Sequence, residues 1–200
     1  MRIEFCGSIA SGKTTLAGLC DEVGYTVQRE RFQENPFFDK FYADPAAYAF
    51  EAELTYLLQH FSQAREAASE TKLAVDFSLA LDLAYARVTL SNRDQLTFDS
   101  VLARIIEKIG LPSLIVRLKC PPDVALSRIH RRKRVSEQGI AVPFLEAIDS
   151  QIEKVLLSPP FSCVPVCRID SGSWDFRPEG KERSLAMERL IAAMQAVREG

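Results

Sequence analysis

Gly7-Ser8-Ile9-Ala10-Ser11-Gly12-Lys13-Thr14 sets two glycines, a lysine and a threonine at the spacing of a phosphate-binding loop. Its flanks agree with that reading. Arg2 to Phe5, just ahead, is a short apolar run that reads as a buried strand, and the residues after it open a helical pattern. Backbone N–H groups of such a loop converge on phosphate oxygens at a helix N-terminus, where the helix dipole favours negative charge. Lys13 then reaches the outer phosphates, and Gly7, Ser8, Ile9, Ala10, Ser11, Gly12, Lys13, Thr14 and Thr15 are the expected ATP contacts. Thr14 offers its hydroxyl to the Mg²⁺ that accompanies the nucleotide, a cation held by few protein groups plus phosphates and water.

Outward from the loop, four more short apolar runs read as buried strands: Tyr25 to Arg29, Leu73 to Val75, Leu114 to Leu118 and Val166 to Ile169. Helical patterns separate them. Parallel strands need crossover connections, so this alternation predicts an α/β fold with helices on both faces of a parallel sheet. The longest helical stretch runs from about Pro45 to Glu70, with Tyr48, Leu54, Leu58 and Phe61 spaced to form one buried stripe. Lys181 to Arg198 reads as a helix docking on the sheet through Leu185, Met187, Leu190, Ile191 and Met194.

A chain of 200 residues, 47% hydrophobic and 26% charged, is long enough for a full core and is expected to be one domain over 1–200. Its net charge of -2 gives no global field for nucleic acid. The five cysteines lack zinc-site spacing and read as reduced core thiols. With no signal peptide and no apolar run of membrane-span length, the expectation is a cytoplasmic protein without a membrane partner.

Arg128-Ile129-His130-Arg131-Arg132-Lys133-Arg134 places six basic side chains in seven positions. A lone basic run is usually a solvated face, and this one lacks interleaved aromatics for base stacking. Beside a phosphate loop it reads as a lid over about 128–139. On a helix Arg128 and Arg132 share one face, and His130 and Arg134 another, so a pair can grip phosphates from the side opposite Lys13. Glu30 and Asp76 end the second and third strands, where ligands of open parallel sheets bind. That position suits Glu30 to accept a proton from an attacking hydroxyl, and Asp76 to hold Mg²⁺ through water.

These blocks occur in the order in which deoxynucleoside kinases carry them. The phosphate loop, Glu30-Arg31-Phe32-Gln33-Glu34-Asn35-Pro36-Phe37-Phe38, Phe41-Tyr42-Ala43-Asp44-Pro45, the pair Tyr48 and Phe50, Asp76 to Ala86, and Arg132-Lys133-Arg134-Val135-Ser136-Glu137-Gln138-Gly139-Ile140 resemble that family from residue 1 to about 176. The resemblance implies a three-layer P-loop NTPase fold of five parallel strands in order 2-3-1-4-5 with a helical lid. It also implies ATP-dependent phosphorylation of a nucleoside 5′-hydroxyl, and a homodimer. By position Glu30 matches the catalytic carboxylate, with Lys13, Arg128 and Arg132 around the transferring phosphate. Tyr42 and Glu137 match the pair that holds the sugar 3′-hydroxyl, and Asp82 a carboxylate near the base. Arg132, Arg134, Asp170 and Phe176 match ATP contacts, and Trp174 reads as a packed loop anchor.

The departures concern the substrate. Ala10 replaces a glycine, Phe77 stands where many members place an arginine, and His60 stands where bacterial relatives often carry one. Glu51 is read at the position of a glutamine that contacts the base. An ionised carboxylate is acceptor-only, so it suits a base edge with two adjacent donors, as on guanine. Two alternatives stay open on the residues: a kinase of a non-standard nucleoside or other small hydroxyl compound, and an ATP-binding regulator without transfer.

Overall fold

The computed structural model describes residues 1–199. Strands β1 (Arg2–Cys6), β2 (Thr26–Gln28), β3 (Leu73–Val75), β4 (Leu114–Lys119) and β5 (Val166–Asp170) form one parallel sheet in the order β2-β3-β1-β4-β5. Pairings Glu4 with Val75 and Glu4 with Ile115 put β1 at the centre. The expected strands and their order are those observed.

Alternation along β1 and β4 divides the core into two layers. Ile3, Phe5, Leu114, Val116 and Leu118 face α1 (Lys13–Gly18) and α8 (Arg183–Glu199). Cys6 and Ile115 face the opposite layer, built from α3 (Pro45–Glu66), α4 (Leu79–Thr89), α5 (Asn92–Ile109) and α7 (Val142–Leu156). Two buried charges anchor that layer. Glu4 accepts from the Leu79 backbone N–H at 3.0 Å and so fixes the start of α4, while Arg117 donates to Asp149 and Glu153 of α7. The remaining helices are α2 (Phe38–Ala43) and α6 (Pro122–Arg132).

Asp44 and Pro45 start α3 as their chemistry dictates, with the Asp44 carboxylate accepting from Ala47 N–H at 3.2 Å. The helix ends at Glu66, four residues short of the expected boundary. Its buried face is not the expected stripe: Ala49, Ala52, Glu53, Leu57, His60, Gln63 and Ala64 point inward, and Leu58 is 51% exposed. In α8 the docking face is Ala186, Leu190 and Met194, and Leu185 is exposed. Four cysteines are buried thiols as expected, whereas Cys163 is exposed.

Candidate active site

The phosphate loop sits between β1 and α1, and both glycines have geometric reasons. A Cβ on Gly7 would lie 2.5 Å from Ser11 Oγ and 2.8 Å from the Leu118 carbonyl. Gly12 has φ of 95° and would meet Phe176 at 2.9 Å. Ala10 adopts φ of 61°, a left-handed conformation that favours glycine. Lys13 Nζ folds back onto the Gly7 carbonyl at 2.8 Å and the Ser8 carbonyl at 3.3 Å. The Ser11 hydroxyl is buried with no partner among the described residues.

A cavity of about 300 Å³ opens from this loop. Ile9, Ala10, Gly12, Lys13, Thr14, Glu30, Tyr42, Asp76, Asp82, Arg132, Arg134 and Glu137 all line it, so most of the residues expected at the site converge. Asp76 accepts from the Glu30 backbone N–H, which fixes the two strand-end carboxylates relative to each other. The Asn35 side chain donates to the Ala52 carbonyl at 3.1 Å and pins the Asn-Pro-Phe block against α3. Phe32 and Phe38 from the same region add an aromatic wall, and Arg134 lies 4.3 Å over the Phe32 ring.

The electrostatic centre is His60. Its Nδ1 meets both Asp82 oxygens at 2.8 and 3.0 Å, while Nε2 faces Glu30 Oε1 at 3.3 Å, out of line for a good hydrogen bond. Phe77 stacks face to face on the imidazole, with centroids 4.3 Å apart and planes 4° from parallel. The His60 and Phe77 departures are therefore one feature, a ring pair in place of guanidinium groups. Burial opposes the imidazolium, but Asp82 and Glu30 together push His60 up to about 10. Burial likewise opposes ionisation of Glu30, yet His60, with Lys13 and Arg134, holds it below the ordinary carboxylate range. Burial pulls Lys13 down against the attraction of Glu30 and Asp76.

Glu137 is 3% exposed; Arg134 donates to its Oε1 at 3.0 Å, and Oε2 has no partner among the described residues. Burial, with the nearby Glu137 carboxylate, raises the Tyr42 hydroxyl well above its ordinary value.

Four expectations are corrected. Glu51 is exposed and lines no described cavity, because the carboxyl that α3 turns inward is Glu53, two residues and about 200° further round the helix. Arg128 does not line the first cavity; its guanidinium ties the Ala10 and Ser171 carbonyls at 3.4 and 2.7 Å beside a second cavity. Asp170 turns its carboxylate onto Gly172 N–H, Ser173 N–H and the Ser173 hydroxyl, organising its own loop. Arg134 is not on the basic helix, since α6 ends at Arg132 and Lys133, at φ of 55°, redirects the chain toward the first cavity.

The second cavity, about 640 Å³, lies between α6 and the loop after β5. Thr15, Arg128, Arg131, Arg132, Trp174 and Phe176 line it. Arg132 and the loop residues Ala10 and Gly12 belong to both cavities, so the two meet at the phosphate loop.

Sequence reasoning missed Glu53, Tyr56 and Tyr85 in the first cavity. The spacing Glu53, Leu57, His60, Ala64 was the available signal, obscured because polar side chains share that face with small and apolar ones while Leu58 and Phe61 lie on the other side.

A phosphate loop joined to two meeting cavities on a 2-3-1-4-5 sheet defines a P-loop phosphotransferase. Residues 3–194 match the protein family described as deoxynucleoside kinase, and the chain belongs to that family. The deoxyguanosine kinase of Bacillus subtilis (strain 168) is 26% identical over 85% of this chain and 86% of its own. The deoxyadenosine kinase of Dictyostelium discoideum is 26% identical over 84% and 71%. A structure of deoxyadenosine kinase from M. mycoides with bound dCTP superposes with TM-score 0.80 at 20% identity, covering 98% of this chain and 100% of that one. The chain is a kinase, transferring a phosphoryl group from ATP to a nucleoside hydroxyl.

Proposed function

We propose that the chain phosphorylates the 5′-hydroxyl of a purine deoxynucleoside. The observation that carries this reading is Glu137, a buried carboxylate with an unpartnered oxygen in the same cavity wall as Tyr42. A buried acceptor without a donor is costly unless a ligand supplies one, and a deoxyribose 3′-hydroxyl does so. The names of the B. subtilis and D. discoideum relatives support a purine.

In this reading the 5′-oxygen attacks the γ-phosphorus, the bond to the ADP oxygen breaks, and the hydroxyl proton passes to Glu30. Lys13, Arg132 and Arg134 surround the place where charge spreads over the equatorial oxygens. Thr14 and Asp76 line the cavity beside Lys13 and present hard oxygen donors that fit Mg²⁺, which when bound neutralises phosphate charge. The ATP base occupies the second cavity against Trp174 and Phe176, with residues 128–139 as a lid and 1–200 acting as one kinase domain.

The exposed apolar groove between α3 and α5, lined by Leu58, Phe61, Leu96 and Val101, supports a homodimer. The unpaired cysteines suit a cytoplasmic setting, and among the described residues no helix is long and apolar enough to cross a membrane.

The test is ADP release with Mg-ATP against each deoxynucleoside and ribonucleoside, with a blank lacking acceptor. Turnover with deoxyguanosine or deoxyadenosine supports the reading. Absence of acceptor-dependent turnover overturns it.

A further inference from the structure

His60 stands between two carboxylates from different parts of the site, Glu30 just after β2 and Asp82 in the first turn of α4. Its Nδ1 meets both Asp82 oxygens, at 2.8 and 3.0 Å, and its Nε2 faces Glu30 Oε1 at 3.3 Å. The ring is buried, and Nε2 has no hydrogen-bond partner among the described residues. A ring nitrogen without hydrogen would set its lone pair against carboxylate lone pairs on either side, so both nitrogens carry one and the ring is an imidazolium. Burial opposes that charge, but Asp82 and Glu30 outweigh it. The two grips are unequal: forked and short at Asp82, long and out of line at Glu30.

Phe77 decides which way that ring can move. It is buried, and its backbone is held on both sides: Asp76 N–H donates to the Gln28 carbonyl, and the Ser78 hydroxyl caps α4 by accepting from Ala80 N–H at 3.2 Å. The phenyl lies face to face with the imidazole, 4.3 Å between centroids and 4° from parallel, whereas the ring of Tyr56 is 6.0 Å away and tilted by 32°. Tilting the imidazole would drive one edge into Phe77, while sliding it in its own plane keeps the stack. Both nitrogens lie in that plane, so movement away from Asp82 is movement toward Glu30. A slide of roughly 0.3 Å brings Nε2 to the ordinary N–H···O distance of about 3.0 Å.

We propose that this ring pair is a slide through which the seated acceptor sets the aim of Glu30: a hydrogen bond donated to Asp82 loosens its fork on Nδ1, and the imidazolium moves along Phe77 to complete its hydrogen bond to Glu30. This rests on the proposed purine deoxynucleoside reading. With the 5′-hydroxyl at Glu30 and the sugar at Tyr42 and Glu137, the base extends into the rest of the cavity, where Asp82 is among the lining residues. An ionised carboxylate only accepts, so the acceptor must bring an N–H to it. That donor shares the Asp82 charge and weakens its hold on the ring. Glu30 then gains a further restraint, beside the Asp76 tie to its backbone N–H, once the acceptor is seated. A nucleoside without the donor binds but leaves Glu30 loosely aimed, so the loss falls on kcat as well as KM. His60 and Phe77 touch no reacting atom and are positioning residues.

The chain has two histidines, so histidine-selective ¹⁵N labelling shows the rings of His60 and His130 alone, told apart by His130→Gln. The probe is 2′,5′-dideoxyadenosine or 2′,5′-dideoxyguanosine, whichever base turns over faster as the deoxynucleoside; neither has a 5′-oxygen to touch Glu30. At saturation, followed by calorimetry, the His60 Nε2–H proton is expected to move downfield as its hydrogen bond shortens, and the Nδ1–H proton upfield. The 5′-deoxy form of purine 2′-deoxyriboside, whose base offers no N–H, moves neither. In turnover, replacing the better nucleoside by purine 2′-deoxyriboside lowers kcat by about tenfold in the wild type. In His60→Gln, and in Phe77→Leu, kcat no longer separates the two nucleosides and the difference remains in KM. Stationary His60 signals with the probe bound overturn the proposal, as do equal shifts with the donor-free compound or a kcat difference that survives in both variants. Absence of acceptor-dependent turnover with every nucleoside overturns the underlying reading and this one with it, whereas turnover without movement of the His60 signals overturns this one alone.

Discussion

Glu30 and His60 form the smallest unit of the proposed mechanism. Glu30→Gln removes the proton acceptor but little of the nucleotide's surroundings. Turnover is expected to fall by about 10²–10⁴-fold, with ATP binding, read by fluorescence of Trp174 in the second cavity, nearly intact. In that mechanism His60, 3.3 Å from Glu30, acts through it as a positioning residue. Because Glu30 is held below its ordinary value mainly by His60, the acid limb of the kcat/KM profile lies below the usual carboxylate range in the wild type. In His60→Gln that limb moves to higher pH, a displacement that loss of packing alone would not produce. The stability linkage has the opposite sense, since the raised His60 contributes stability that is fully present below its unfolded value of 6.5 and is lost as pH rises through about 10. Thermal melts from pH 6.5 to 10 are expected to decline in the wild type and to be flatter in His60→Gln. Glu30 was legible as a strand-end carboxylate and His60 and Phe77 as departures, but the approach of His60 to Glu30 and its stacking on Phe77 are tertiary contacts that no spacing encodes.

At the scale of the element, the strands were legible because a parallel sheet covered on both faces demands continuous apolar runs, and Leu73–Val75 occurs as expected to the residue. The long helix was legible as a helix and misread as a surface. The larger side chains Leu58 and Phe61 mark the outer groove, while the inward face mixes Ala49, Ala52 and Leu57 with Glu53, His60 and Gln63, because it both packs on the core and lines a polar cavity. Helical rotation then turned a two-residue offset into Glu51 on the wrong side. The end of the basic helix carried no warning either, since Lys133 adopts the left-handed turn that glycine normally supplies. The phosphate loop bears a similar cost at Ala10, at φ of 61°. Ala10→Gly removes the Cβ clash while adding chain entropy to the unfolded state, so the net gain is expected to be up to about 1 kcal/mol, or roughly 2–4 °C in Tm. Scanning calorimetry of the two proteins decides it, and an unchanged or lower Tm would show that the loop bears no strain there.

For the whole molecule, the decisive fact is that α3 has two working faces. The inner one builds the cavity, and the outer one joins α5 in an apolar groove of about 580 Å³ where Leu58 is 51% and Leu96 69% exposed. Leu157 is also exposed, at 73%, but stands alone, and single surface leucines are ordinary. A contiguous apolar groove is less so, and a two-fold axis lets one such face cover itself in a second copy without generating a filament. The wild type is therefore expected to sediment at twice the 22.4 kDa of the chain. Leu58→Glu with Leu96→Glu sediments as a single chain, because closing the dimer would bury four unpaired carboxylates. The same variant melts lower, since α3 loses the cover of its outer face, and its KM for the nucleoside rises because Glu53 and His60 ride on that helix. Leu157→Glu changes none of the three. A double variant that remains dimeric would place the contact elsewhere, and a wild type that sediments as a monomer would leave α3 held from its inner face alone.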